Sequence, residues 1–404
     1  MKKSALLVCV LALICSCSQS KYDGDMMPST PGEDGGYRTD EGAEAEPGGD
    51  GGDEQSSAGK VTAGEWRDLD NWLFWSNLMT NTQPDQSGSD FTQYSGYWGF
   101  YTNNRVAVRV QDAGGAPQRD VPVQLLRNGN VVYEARTDNR GETNLWVGLT
   151  QRDESVDASS LTLNINGTPV NASVSVTHWG EEPVWNECTA SVTASKKIDI
   201  AFIVDATGSM SDEIDFLKAD LRNIITTVGS KHSDASIRTA ALFYRDEGDE
   251  YLTRESNFTT NLNTTANFIS KQRADGGGDY PEAVHTALEN GLQKLSWRTD
   301  NSIRIAFILL DAPPHYNDPV LSSLHQSVPQ YAKQGIRLIP VAASGVDKGT
   351  EFFLRFIAIA TDGTYVFLTN DSGIGNEHIA ATVGEYKVEL LNELMIRLLN
   401  EYLQ

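Results

Sequence analysis

The sequence predicts a doubly wound α/β domain with a mostly parallel sheet, preceded by a small all-β sandwich. Three observations carry this. Five apolar runs, Ile198–Val204, Ile237–Tyr244, Ile303–Leu310, Ile336–Ala342 and Tyr365–Leu368, are nearly continuous, as strands buried on both faces are. Helical stretches alternate with them at about 212–228, 262–272, 280–295, 319–334, 350–360 and 377–403. Upstream, from Arg105 to about Trp179, the apolar period is two, broken by turn dipeptides.

In chain order, the first segment is an address. Lys2 and Lys3 precede an apolar run, Ala5 to Ile14, too short to span a bilayer by itself. Ile14-Cys15-Ser16-Cys17 resembles a bacterial lipobox, which implies a signal peptide over 1–16 and lipidation of Cys17. Removal of Cys9 and Cys15 with the leader would leave Cys188 as the one free thiol, a small buried hydrophobe by its surroundings. Residues 17–60 are rich in Gly, Pro and acids, as in Gly48-Gly49-Asp50-Gly51-Gly52-Asp53-Glu54, and cannot bury enough apolar surface to fold. They are expected to form a solvated tether. Acidic stretches of this kind also resemble export signals of surface lipoproteins. The expected location is therefore outside the cell's inner compartment, lipid-anchored to a bacterial outer membrane, with its periplasmic face and its external surface as the two alternatives.

Residues 61–102 are aromatic-rich and hold half of the eight tryptophans. Asp68 to Met79 reads as a short helix, and the aromatic side chains as a local core against the next domain. Residues 103–190 read as the sandwich. Val106, Val108 and Val110 alternate, as do Val121, Val123 and Leu125, and Asn128-Gly129, Asn139-Arg140-Gly141 and Asn166-Gly167 mark turns between about six strands. This part resembles Ig-like or carboxypeptidase-regulatory-like modules, which implies a spacer or binding unit.

Residues 196–404 form the α/β domain, and polar residues gather where its strands end. Asp205-Ala206-Thr207-Gly208-Ser209 closes the first run, Asp311-Ala312-Pro313-Pro314-His315 closes another, and Gly276-Gly277-Gly278-Asp279-Tyr280-Pro281-Glu282 precedes a helix. Ligands in doubly wound sheets bind beyond the carboxyl ends of strands. Two carboxylates with two hydroxyls suit a hard divalent cation, most naturally Mg²⁺, with Mn²⁺ or Ca²⁺ as alternatives. Asp279-x-x-Glu282 also reads as a helix capping box. The loop Tyr244–Glu250 reads as solvated and acidic, with an auxiliary cation site as the alternative, and His315 as a loop hydrogen-bonding residue.

At this point residues 196–404 resemble a von Willebrand factor A domain, a Rossmann-like fold. Asp205-x-Thr207-x-Ser209 is similar to its metal-ion-dependent adhesion motif, and Asp311 to its later aspartate. The resemblance implies that Thr207 and Ser209 touch the metal, with Asp205 and Asp311 holding it largely through water. The family usually places a threonine in the Gly-rich loop; here Asp279 stands there, and as a ligand it would add a negative charge. The implied function is adhesion: a protein partner's exposed Asp or Glu completes the cation's coordination, with no catalysis. Two alternatives stay open, a Mg²⁺-dependent phosphotransferase using Asp205 as nucleophile and a structural scaffold. The formal charge of −23 argues against nucleic acid as a partner, and membrane contact would come through the lipid alone.

Overall fold

The five expected core strands lie side by side in one sheet. They are β9 (Lys197–Asp205), β10 (Ser236–Tyr244), β12 (Ile303–Leu310), β13 (Ile336–Ala342) and β14 (Tyr365–Leu368). The computed structural model describes residues 59–80, 91–152, 156–193, 195–373 and 377–403. The expected signal peptide, Cys17 and nearly all of the tether lie outside the described residues.

Three more strands complete the sheet: β11 (Thr253–Thr259), β1 (Thr62–Trp66) and β15 (Glu389–Leu390). The order is β11-β10-β9-β12-β13-β14-β1-β15, parallel from β10 to β14 and antiparallel at both margins. Ile198 on β9 stands between Ile237 and Ile303, and Phe202 between Ala241 and Phe307. Strand β9 buries side chains on both faces, which explains its unbroken apolar run. Ile198, Ile200 and Phe202 join a core with α3 (Ile214–Lys231) and α8 (Leu391–Leu403). Ala201 and Ile203 join another with α5 (Val284–Gln293), α6 (Asp318–Gln334) and α7 (Lys348–Ala360). The short helix α4 (Leu262–Ile269) packs beside α3.

Two differences from the expected elements have one cause. The last helix begins at Leu391, not near residue 377, because Glu389 and Leu390 pair with Ala63 and Thr62. Strand β1 comes from the segment set apart as 61–102, and inserts between β14 and β15. The insertion needs small residues nearby: a Cβ on Gly384 would lie 2.6 Å from the Trp66 ring.

The aromatic segment covers α7. Helix α1 (Trp72–Thr80) starts four residues later than expected, and α2 (Phe91–Trp98) was not expected. Trp75 stacks on Phe352 at 5.8 Å and Phe100 on Phe356 at 4.0 Å. Every residue of α7 is buried as a result. Arg355, wholly buried on α7, donates to Asp68 Oδ2 at 2.9 Å and sits near Glu351.

Two small sheets follow. One is β2 (Arg105–Gln111) between β5 (Glu142–Trp146) and β8 (Trp185–Thr189). The other orders β4 (Asn130–Arg136), β3 (Pro122–Arg127), β6 (Leu161–Ile165) and β7 (Thr168–Pro169). The turn dipeptides act as expected: Asn128 and Gly129 have φ 51° and 79°, Asn166 and Gly167 50° and 81°. The apolar faces of both sheets merge with the α5–α7 side of the large sheet in one cluster, so no separate sandwich core is delimited. Buried polar ties reinforce the junction. Asp120 accepts from Arg304 Nη1 at 2.9 Å, Asp362 from Thr143 Oγ1 at 2.7 Å, and Tyr133 donates to Ala360 O at 2.8 Å. The architecture is a mixed α/β body with several sheets around a Rossmann-like core.

Candidate functional site

Strands β9 and β12 are neighbours whose connections leave in opposite directions, so a crevice opens at their carboxyl ends. Asp205, wholly buried, ends β9. Its Oδ1 accepts from the Thr207 N–H at 2.9 Å and the Thr207 hydroxyl at 2.7 Å, closing an Asx turn. The Thr207 and Ser209 hydroxyl oxygens are 3.2 Å apart. Asp311 follows β12 and is 5% exposed. Ser209, Asp279, Glu282, Asp311, Ser344 and Gly345 line a cleft of about 310 Å³.

The structure thus gathers the expected residues at one rim, with Asp205 and Thr207 buried and Ser209 and Asp279 exposed. The capping-box expectation fails. Helix α5 begins at Val284, and its flanking residue Ala283 makes no side-chain cap. Glu282 instead spans two loops: its N–H donates to Pro313 O at 2.8 Å, and its carbonyl accepts from His315 N at 3.3 Å.

The electrostatics are those of crowded, under-solvated carboxyls. Burial pushes Asp205 up to about 6, opposed by the two Thr207 donors. Burial, then the charge of Asp205, pushes Asp311 up to about 7. Burial and the charges of Asp205, Asp246, Asp311 and Asp249 push Glu282 up to about 9. Asp205 Oδ2, Asp311 Oδ1 and Glu282 Oε2 are buried without a hydrogen-bond partner. Orphaned buried oxygens of this kind are costly, and a cation would satisfy them; beside Asp205 the buried Tyr244 hydroxyl, also without a partner, is a competing donor. Hydroxyls and carboxylates are also the hard oxygen donors that Mg²⁺ and Ca²⁺ take. Among the described residues, no three His, Cys, Asp or Glu side chains lie close enough to form a metal site on their own. The donor set would therefore depend on the Thr207 and Ser209 hydroxyls as much as on acids.

Sequence reasoning missed the supports. The acidic loop after β10 is only partly solvated, since Arg245 and Asp246 are 4% and 7% exposed. Arg245 Nε donates to Ala206 O at 3.1 Å, and Asp249 accepts from Gly277 N at 2.9 Å. Gly208 N donates to Gly276 O at 3.0 Å, binding the two loops directly; a Cβ on Gly208 would lie 2.9 Å from that oxygen. His315 meets Asp246 Oδ1 at 2.6 Å, as a loop hydrogen-bonding role requires. Glu213, 1% exposed, accepts from Ser344 N at 3.1 Å and lies 3.1 Å from His378 Nε2. His315, the Gly-rich loop and the density of acids after residue 244 were visible in sequence, whereas Glu213 and His378 carried no signal there.

Comparison with known proteins follows the same part of the chain. An alpha-protein kinase, vwkA, of Dictyostelium discoideum is 29% identical over 177 residues, covering 43% of this chain and 28% of the kinase. An ariadne-like RING finger protein of Acanthamoeba polyphaga mimivirus is 35% identical over 119 residues, 30% of this chain and 11% of that protein. The chain thus spans less than a third of the length of either relative. Among solved structures, BatB of Bacteroides thetaiotaomicron is 10% identical with a TM-score of 0.36, over 51% of this chain and 98% of that one. The pilus adhesin SpaC of Lactobacillus rhamnosus GG, in an open conformation, is 12% identical with a TM-score of 0.37, over 52% of this chain and 30% of that one. Residues 199–340 match the family model of the von Willebrand factor A domain. From β9 to β13, around the cleft just described, the chain contains a von Willebrand factor A domain.

Proposed function

We propose that this protein is a cation-dependent binding module, in which a divalent ion held at the β9–β12 crevice takes one oxygen ligand from an external partner. Membership of the domain family supports a metal-associated adhesion role. The observation that carries the site is the convergence of orphaned Asp205 Oδ2 and Asp311 Oδ1 with the Thr207 and Ser209 hydroxyls. Those four residues would hold the ion, with Asp279 at the open side. When bound, the ion supplies a Lewis-acidic coordination position. The chain's own residues orient it: Thr207 fixes Asp205, and Asp249 fixes the Gly-rich loop.

The proposal includes binding without turnover. It also includes export with lipidation at Cys17, and an Ig-like accessory role for the two small sheets as a spacer. The sequence expectation of a partner carboxylate is one form of the external ligand.

Calorimetric titration with Mg²⁺, Mn²⁺ and Ca²⁺ tests the site. Wild-type protein should bind one ion per chain and Asp205→Ala none. Equal binding by the variant would remove the basis of the proposal. Turnover of a generic phosphate ester that Asp205→Asn abolishes would turn the assignment toward an enzyme.

A further inference from the structure

We infer that Glu282, rather than Asp279, is the acid with which the Gly-rich loop holds the cation. This rests on the cation-dependent reading and adds to that site a ligand that the sequence pattern assigns to a helix cap.

The loop carries two acids, and the fold treats them oppositely. Asp279 is exposed. Glu282 lines the same cleft yet is 2% exposed. Its Oε2 is buried with no hydrogen-bond partner. An acceptor kept from water without a donor destabilises the fold, so an acid at this position needs another reason. Capping does not supply one, since α5 begins at Val284 with no side-chain cap. A hard cation at the crevice does, because it takes carboxylate oxygens where no N–H or O–H reaches them.

The backbone aims this side chain. Glu282 pairs with Pro314 in a parallel bridge. Its N–H donates to Pro313 O, and its carbonyl accepts from His315 N and, at 2.8 Å, from Val284 N. The partners at 313–315 belong to the loop that Asp311 opens. Glu282 therefore sits at the seam where the Gly-rich loop is stitched to the Asp311 loop. A ligand fixed in this way gives up little freedom when an ion arrives. Asp279 instead adjoins open space, for a Cβ on its neighbour Gly278 would meet nothing within 4 Å.

The carboxyl also reaches the hydroxyl side of the crevice. A Cβ on Gly277 would lie 2.9 Å from Glu282 Oε1 and 3.3 Å from Thr207 Cβ. Glycine at 277 thus leaves the gap across which Glu282 and Thr207 meet. The Thr207 hydroxyl is in turn 3.2 Å from that of Ser209. Among the described residues, no three acids close into a metal cluster. Glu282 accordingly adds one carboxylate to the two hydroxyls instead of completing a cage of acids.

The experiment uses the full chain. Calorimetry gives Mn²⁺ affinity, and Tb³⁺ luminescence lifetimes in H₂O and D₂O count the waters on the bound ion at saturation. Both are measured on wild type, Glu282→Gln, Glu282→Ala, Asp279→Asn and Asp205→Ala, with thermal unfolding in EDTA as the check of folding. Glu282→Gln should weaken Mn²⁺ about a hundred-fold or more, since residues that merely support a ligand already cost ten- to a hundred-fold. Glu282→Ala should leave at least one more water on Tb³⁺ than wild type, a change that a purely structural role would not produce. Asp279→Asn should keep the wild-type water count and weaken Mn²⁺ by no more than about five-fold, as befits an exposed charge. Mn²⁺ affinity kept by Glu282→Gln but lost by Asp205→Ala overturns this inference and leaves the cation site standing. An unchanged water count in Glu282→Ala overturns it as well. So does a hundred-fold loss with an added water in Asp279→Asn, whether or not the Glu282 variants fold. Absence of Mn²⁺ binding in wild type overturns the proposed function and this inference together.

Discussion

Replacing Asp205 by Asn removes a charge while keeping the shape and the oxygen that accepts from Thr207. The two Thr207 donors at 2.9 and 2.7 Å can still be met by an amide oxygen, so the Asx turn should survive. What disappears is a buried carboxyl pushed up to about 6 from its usual 3.8, chiefly by burial. A raised carboxyl contributes stability that is fully present below the unfolded value and is lost as pH rises through the folded one. Two units correspond to about 3 kcal/mol of destabilisation above the folded value, an upper bound because Asp311 shares the effect. In chelator, Asp205→Asn should therefore match wild type near pH 4 and exceed it at pH 8. For a chain of this size the gain is roughly 5 °C in Tm. Cation at a hundred times its Kd should add about 2.7 kcal/mol to wild type. The variant should gain almost nothing. Thermal unfolding by circular dichroism, with EDTA or Mg²⁺ at both pH values, reads all four comparisons. A variant less stable than wild type in EDTA at pH 8, or one that keeps the full Mg²⁺ response, would refute the account of Asp205 as a charge held ready for an ion.

Three further outcomes are expected. Asp68→Ala removes two of the four hydrogen bonds of buried Arg355, leaving those to Glu351 and Thr382 O, and should cost about 3–5 kcal/mol in urea unfolding, in one transition shared by all probes; a separate early transition for the aromatic segment would contradict the shared core. Asp249→Ala releases Gly277 and should weaken Mn²⁺ affinity about ten-fold or more without loss of Tm, since supporting residues of metal sites act at that level; unchanged affinity would show that the Gly-rich loop holds itself. Asp220 is pushed up to about 6 by burial, against one bond from Gly59 N, and its Oδ2 has no partner. Asp220→Asn should stabilise the protein progressively between pH 4 and pH 7 and then level off, whereas a pH-independent difference in Tm would point to packing.

Much of the large sheet was legible because burial on both faces leaves no ambiguity in a run such as Ile303–Leu310. The rim was legible for a related reason: acids and hydroxyls directly after such runs, as at Asp205 and Asp311, have few other reasons to be there. Strand β1 was not. Thr62–Trp66 contains two small residues and a glutamate, and its extended state is imposed by partners at Val366 and Leu368. Helix α2 was hidden by Gly96 and by aromatics whose spacing suits either periodicity. The supports of the site were hidden for a third reason. Asp249 and Gly277 meet only because the β10–β11 hairpin loop and the α4–α5 connection fold over the same strand ends, and no local pattern records that.

The placement of β1 also sets the order of assembly. Thr62 bonds to Thr369, 307 residues later in the chain. During synthesis, the segment that closes this edge of the sheet appears 307 residues before its partner. Closing a loop of that length costs roughly 5 kcal/mol in chain entropy alone, so β1 has no reason to dock until β14 exists. The nascent protein must then carry an unpaired strand and the aromatic helices beside it while the intervening 307 residues are made, a state open to wrong pairing and to chaperones. Once docked, two segments 307 residues apart are spliced into a single margin, and damage to either becomes damage to the other.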